Sequence, residues 1–216
     1  MFDLTLTFDN GPDPEVTPRV LDILRARGLK ATFFVVGRKL EHPDGPGLVR
    51  AALADGHRIG NHTYTHTIPL GENLDPDVVE AEIATTDRAL RDAGAETRLF
   101  RPFGGGGNLD GRLLRRSVVD HLTGEGYSCV LWNAIPRDWA DPEGWVETAL
   151  AQCKAQPWTL IVLHDLPTGA MDRLEEFLDK ATALGARFRQ DFPDACVPIR
   201  DGRIAAPVEP YMSDAA

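Results

Sequence analysis

Residues 3–28, DLTLTFDNGPDPEVTPRVLDILRARG, hold the pattern on which the fold turns. From Asp3 to Phe8 polar and apolar residues alternate, the period-two signature of a strand. Residues 16–27 then carry Val16, Val20, Leu21, Ile23 and Leu24 at helical spacing, and Gly28 closes the run. Gly11-Pro12-Asp13-Pro14 between them is turn chemistry. The same unit recurs. Residues 31–36 (ATFFVV) predict a short apolar strand, and a helix near 46–55 ends at Gly56. A short strand near 57–60 precedes a long helix from about 76 to 92. Residues 97–100 read as a strand, 110–123 as a helix, 127–132 (YSCVLW) as a strand and 142–154 as a helix. Residues 159–163 (TLIVL) are a buried strand, 170–184 a helix, and 186–188 and 196–199 weak last strands. This alternation predicts an α/β fold with a parallel sheet and crossover helices. About seven units favour barrel-like closure, though periodicity alone leaves an open doubly wound sheet standing. In either form, reactive groups collect just beyond the strand C-termini.

A chain of 216 residues, 43% of them hydrophobic, has enough apolar material for a core and reads as one domain over 1–216. Lys plus Arg is 23 and Asp plus Glu is 33, a net charge of −10 that disfavours phosphate backbones and anionic lipid heads. Neither a nucleic-acid partner nor a membrane is expected. No run approaches the roughly 18 apolar residues of a membrane-spanning helix. The start, Met1-Phe2-Asp3-Leu4-Thr5, enters strand alternation at once without a basic region or a long apolar stretch. A cytoplasmic location is the expectation. Cys129, Cys153 and Cys196 are too few and too far apart for a disulfide framework or a thiolate zinc site.

Several strand ends carry polar groups that folding does not require. His62 and His66 are four residues apart, a spacing that lets two imidazoles face one point on a helix turn or in a compact loop. Neutral imidazole suits zinc, cobalt or nickel, but a pair alone needs a third ligand and a base. Asp9 and Asn10 could supply these, although an Asx turn or helix cap would account for them separately. His164 ends the apolar run 159–163 and is a candidate proton donor if a carboxylate holds it; Asp138 and Asp165 are both available. Arg101 could pair with Asp9 or with another acid. Trp132 and Trp139 are core or pocket wall. The run Gly104–Gly107 lacks the Lys-Ser/Thr of a phosphate loop and reads as a flexible lid.

Together these segments resemble the NodB-homology polysaccharide deacetylases, carbohydrate esterase family four. Leu6-Thr7-Phe8-Asp9-Asn10-Gly11-Pro12 is similar to that family's T-F-D-D-G-P, and His62-Thr63-Tyr64-Thr65-His66 to its H-[ST]-x-x-H. Phe100-Arg101-Pro102-Phe103-Gly104 resembles R-x-P-[YF]-G, Asp138-Trp139 the end of D-x-x-D-W, and Val162-Leu163-His164 L-x-H. The order is the family's, and the segments span residues 5 to 165. The resemblance implies a distorted (β/α)7-type barrel and hydrolysis of an N-acetyl or related amide. It implies a divalent metal, zinc first, with cobalt, nickel or manganese as alternatives. Under it, Asp9 is the general base, oriented by Arg101, and His164 the general acid, held by Asp138. His62 and His66 are metal ligands and Asn10 the third member of the metal site, its carbonyl oxygen ligating or holding a ligating water. A backbone N–H near Phe103 helps bind the oxyanion, and Trp139 and Val162 line the acyl pocket.

The departures bear on substrate. Asn10 stands where the family usually has a metal-binding Asp, Ile135 replaces the first Asp of D-x-x-D-W, and the arginine segment is one residue short. The expected substrate is an N-acylated amino sugar or glycan. Two alternatives stand beside it: a cytoplasmic hydrolase of a small cyclic amide or ureide, and a non-catalytic carbohydrate-binding relative. Retention of Asp9, His62, His66 and His164 together speaks against the last. Oligomeric state is not legible.

Overall fold

A computed structural model describes residues 1–213. Strand β1 (Phe2–Asp9) is central, and both of its faces are buried. Leu4, Leu6 and Phe8 pack outward with helices α1 (Val16–Ala26), α2 (Gly45–Ala54), α5 (Trp145–Lys154) and α6 (Leu174–Ala183). On the other face Thr5 and Thr7 are fully buried, and their hydroxyls donate to Asp191 O and Ile161 O, both at 2.7 Å. The sequence alternation thus marks two buried faces, with the polar one satisfied by hydrogen bonds.

β1 pairs in parallel with β2 (Thr32–Val35) on one side and with β6 (Trp158–His164) on the other. The sheet continues through β3 (Arg58–Asn61), β4 (Leu99–Phe100) and β5 (Ser128–Cys129), all parallel. A bridge between Ala134 and Ile161 brings the chain after β5 back to β6, which curls the sheet toward a barrel. Strand β7 (Ala186–Arg189) pairs with the first half of β1, and β8 (Ile199–Arg200) and β9 (Arg203–Ile204) add an antiparallel edge beside β5. The fold is therefore α/β, a distorted barrel with helices outside. A second apolar cluster, including Phe34, Phe100, Leu160, Val162 and Trp132, joins the opposite strand face to helix α4 (Arg116–Gly124).

Several elements differ from expectation: the strand foreseen over 196–199 is a 3-10 turn at Asp194–Cys196 followed by β8, and the helix foreseen from 170 opens as a 3-10 turn at Ala170–Arg173 before α6. The helix foreseen from 76 starts as a π-helical turn at Val79–Ala84 and becomes the α-helix α3 (Thr85–Asp92) only afterwards. The helix foreseen from 110 begins at Arg116, because Leu114 is engaged in a bridge with Met212. The strand foreseen over 127–132 is regular for two residues; Val130 and Leu131 then donate to Phe100 O and Cys196 O. Among the described residues no helix is long and apolar enough to cross a membrane.

Candidate active site

Parallel register places Asp9 opposite Phe34 on β2 and opposite His164 on β6, so Asp9 and His164 end neighbouring strands. Asn61 is paired with Phe100, which sets His62 beside Arg101 by the same logic. Asp9 is 3% exposed and Arg101 is fully buried. Arg101 Nη1 donates to Asp9 Oδ1 at 2.8 Å and to Thr7 Oγ1 at 2.7 Å. Its Nε and Nη2 donate to Val130 O and Leu131 O at 3.0 and 3.2 Å, and the guanidinium lies 4.0 Å over the Phe34 ring. A guanidinium held on every side fixes the carboxylate it touches. Thr7 belongs to this clamp, a role that strand alternation conceals because a buried threonine looks the same in any strand.

His62 and His66 lie in a loop with no helix. Their ring centroids are 4.7 Å apart, and His66 packs at 4.0 Å on Phe103. His62 Nδ1 is 2.9 Å from Arg101 O. A carbonyl only accepts, so Nδ1 carries the hydrogen and Nε2 keeps its lone pair. That Nε2 is 3.5 Å from Asp9 Oδ2. Burial pushes both imidazoles down to about 3, and the neighbouring Arg101 charge further opposes protonation of His62. Both rings are therefore neutral, the form that binds metals. A lone pair facing a carboxylate oxygen is favourable only with a cation between them. Asn10 has a left-handed backbone (φ 74°), which asparagine tolerates, and its buried Oδ1 has no hydrogen-bond partner. Among the described residues no three His, Cys, Asp or Glu side chains form a metal cluster; Asn10, which lines the same cavity as His62 and His66, offers a neutral amide oxygen instead. An orphaned buried oxygen beside two neutral imidazoles fits a divalent cation.

His164 Nδ1 is 2.8 Å from Asp138 Oδ1, and Asp138 is fully buried. Burial opposes a charge on His164, but the Asp138 hydrogen bond and the charges of Asp138, Asp9 and Asp165 outweigh it and hold its pKa above the usual value. Trp139 meets the imidazole edge-on, centroids 4.6 Å apart. Of the two carboxylates foreseen for His164, Asp138 makes the contact. Asp165 accepts instead from the Thr17 hydroxyl.

Asp9, Asn10, His62, His66 and His164 line a cavity of about 210 Å³ with Phe103, Trp132, Ile135, Trp139, Val162 and Leu166. The Gly104–Gly107 run forms one wall as a tied turn: Gly107 N and Asn108 N donate to Gly104 O, and Trp132 Nε1 donates to Gly107 O at 3.3 Å. A Cβ on Gly107 (φ 87°) would strike Ile135, which explains the glycine there. All the site residues foreseen from the sequence thus border one cavity or hold a residue that does. Glu82, which binds the His62–His66 loop, had no signal in the sequence: an acid on an amphipathic helix reads as solvated.

The polysaccharide deacetylase family model matches residues 3–117. A peptidoglycan-N-acetylglucosamine deacetylase of Bacillus cereus is 34% identical over 195 residues, covering 86% of this chain and 84% of its own. A chitooligosaccharide deacetylase of Bradyrhizobium sp. is 35% identical over 165 residues, covering 74% of this chain and 69% of its own. Among solved structures, a family 4 carbohydrate esterase from Streptomyces lividans in complex with acetate superposes with a TM-score of 0.73 at 28% identity, over 92% of this chain and 97% of its own.

Proposed function

This chain belongs to the polysaccharide deacetylase family, carbohydrate esterase family four, and on that premise we propose that it removes the N-acetyl group from N-acetylglucosamine units of a glycan. The observation that carries this reading is the pairing of Asp9 with Arg101 and of His164 with Asp138 across one cavity that also holds His62, His66 and the orphaned Asn10 oxygen. The B. cereus and Bradyrhizobium relatives carry peptidoglycan and chitooligosaccharide in their names, and both polymers contain this sugar.

His62, His66 and Asn10 would hold a divalent cation, zinc first, which supplies carbonyl polarisation and acidifies water. Asp9, kept in place by Arg101, accepts the proton of the attacking water. A backbone N–H near Phe103 donates to the oxyanion, a contribution typically of ~3 kcal/mol. His164 delivers a proton to the departing amine; without it the tetrahedral species would expel water instead. Asp138 holds the Nδ1–H side of the ring and leaves Nε2 free for this transfer. A cavity of about 210 Å³ is smaller than the ~300 Å³ of a typical ligand pocket, so it suits an acetamido group with the rest of the glycan outside. Trp139 and Val162 are the walls against the acetyl methyl.

Acetate release from N-acetylglucosamine oligomers, measured on zinc-loaded and chelator-treated protein, tests the reading. Zinc-dependent release is the expected result. No release from any oligomer, with turnover of a cyclic ureide by metal-free protein, would replace it with the small-amide alternative.

A further inference from the structure

His62 follows directly from β3, but His66 stands at the far end of a loop whose fixation comes from elsewhere. Glu82, in the π-helical turn Val79–Ala84, is 7% exposed. Its Oε2 accepts the backbone N–H of Tyr64 and that of Thr65, both at 2.9 Å, and its Oε1 accepts the Thr65 hydroxyl at 2.6 Å. Other backbone groups of the loop are tied too. Thr63 N donates to Asn61 Oδ1 at 2.9 Å, and Gly37 N and Arg38 N donate to Thr63 O and Tyr64 O at 2.9 and 3.1 Å. Asn61 Nδ2 reaches the same helical segment, at Ile83 O (3.0 Å) and Asp87 Oδ1 (2.8 Å).

We propose that Glu82 is a positioning residue that sets where His66 stands relative to His62 and Asn10, and through that the affinity of the site for a divalent cation; this rests on the metal reading above. Thr63 and His66 both have left-handed backbones, φ 65° and 53°, which non-glycine residues adopt at a cost and keep only when neighbours impose them. Glu82 imposes them. Without its carboxylate the N–H groups of Tyr64 and Thr65 lose their acceptor, and part-buried donors left unpaired drive a loop to rearrange toward water. The His66 ring touches His62 and Phe103 through packing, which is weakly directional, so its position follows its backbone. A carboxylate suits the task because one oxygen takes two convergent N–H groups while the other takes the hydroxyl.

The test is calorimetric titration of the full chain with zinc, beside thermal unfolding and the visible spectrum of the cobalt-loaded protein. Glu82→Met keeps length and volume but no acceptor; it should bind zinc about ten- to a hundredfold more weakly and alter the cobalt spectrum. Glu82→Gln keeps one oxygen for both N–H groups and an amide for Thr65 Oγ1, and should restore most of the affinity. A residue of purely structural importance would lower the melting temperature and leave the zinc affinity of the folded protein alone. Equal affinity in wild type and folded Glu82→Met overturns the proposal. Should Glu82→Met fail to fold, Thr65→Val, which deletes one of the three bonds, carries the test: a severalfold loss supports the proposal and none overturns it. If wild type itself binds no zinc, the metal reading falls and this inference with it.

Discussion

One carboxylate holds His164 twice: Asp138 Oδ1 is 2.8 Å from the ring Nδ1, and Asp138 Oδ2 accepts the His164 backbone N–H at 2.9 Å. The backbone bond locks the carboxylate to the end of β6. The ring bond turns the imidazole so that Nε2 is left for the cavity that His164 lines. Position and protonation are thereby set by the same group, because the Asp138 charge also favours the imidazolium against the cost of burial.

Asp138→Asn should therefore shift the alkaline limb of the kcat/KM–pH profile to lower pH. His164 has a raised pKa and, as the proposed acid, would act while protonated, so activity should fall as pH rises through that pKa. Removing the charge lowers the pKa and brings the fall earlier. A limb that stays where it was, in a variant that still turns over, assigns it to another group.

Asp9→Asn keeps an oxygen for Arg101 Nη1 but cannot accept the water proton. Turnover should drop by about 10²–10⁴-fold with zinc still bound. Acetate release within about twofold of wild type would reduce Asp9 to an anchor for Arg101.

Asn10→Asp supplies a charged oxygen where the buried amide oxygen now has no partner. Zinc binding should tighten, since a carboxylate is the better donor to a dication. The rate need not follow, because a more neutralised cation is a weaker Lewis acid. Titration of the two proteins side by side decides it; equal affinities would place position 10 outside the coordination sphere.

Asp165→Asn should stabilise the protein at neutral and alkaline pH. Burial raises the Asp165 pKa from 3.8 to about 7, against the opposing hydrogen bond from Thr17. Between those values the folded state keeps a proton that the unfolded chain has released, so this group's contribution to stability falls as pH rises through that window. Asparagine has no such loss. The melting-temperature difference between variant and wild type should grow from pH 4 to pH 7 and then level off; a difference independent of pH would mean that Asp165 is ionised throughout.

The strand-and-helix order, the parallel sheet and the placement of Asp9, His62, Arg101 and His164 at strand ends were all legible from local pattern, because periodicity and turn residues report backbone state directly. So was the neighbourhood of Asn10, since the backbone places it next to Asp9. What needed the folded chain was partnership. Asp165 adjoins His164 in sequence and Asp138 sits at another strand end, and only the return of the chain from β5 to β6 brings Asp138 to the ring and leaves Asp165 facing Thr17. Thr7 and Glu82 are further cases: a strand threonine and a helical acid carry no local mark of the guanidinium or the loop N–H groups they hold. Local sequence determines which conformations and which chemical groups are available. Which group meets which is decided by register and closure of the sheet, contacts between residues tens to more than a hundred positions apart, and those have no signature until the core has packed.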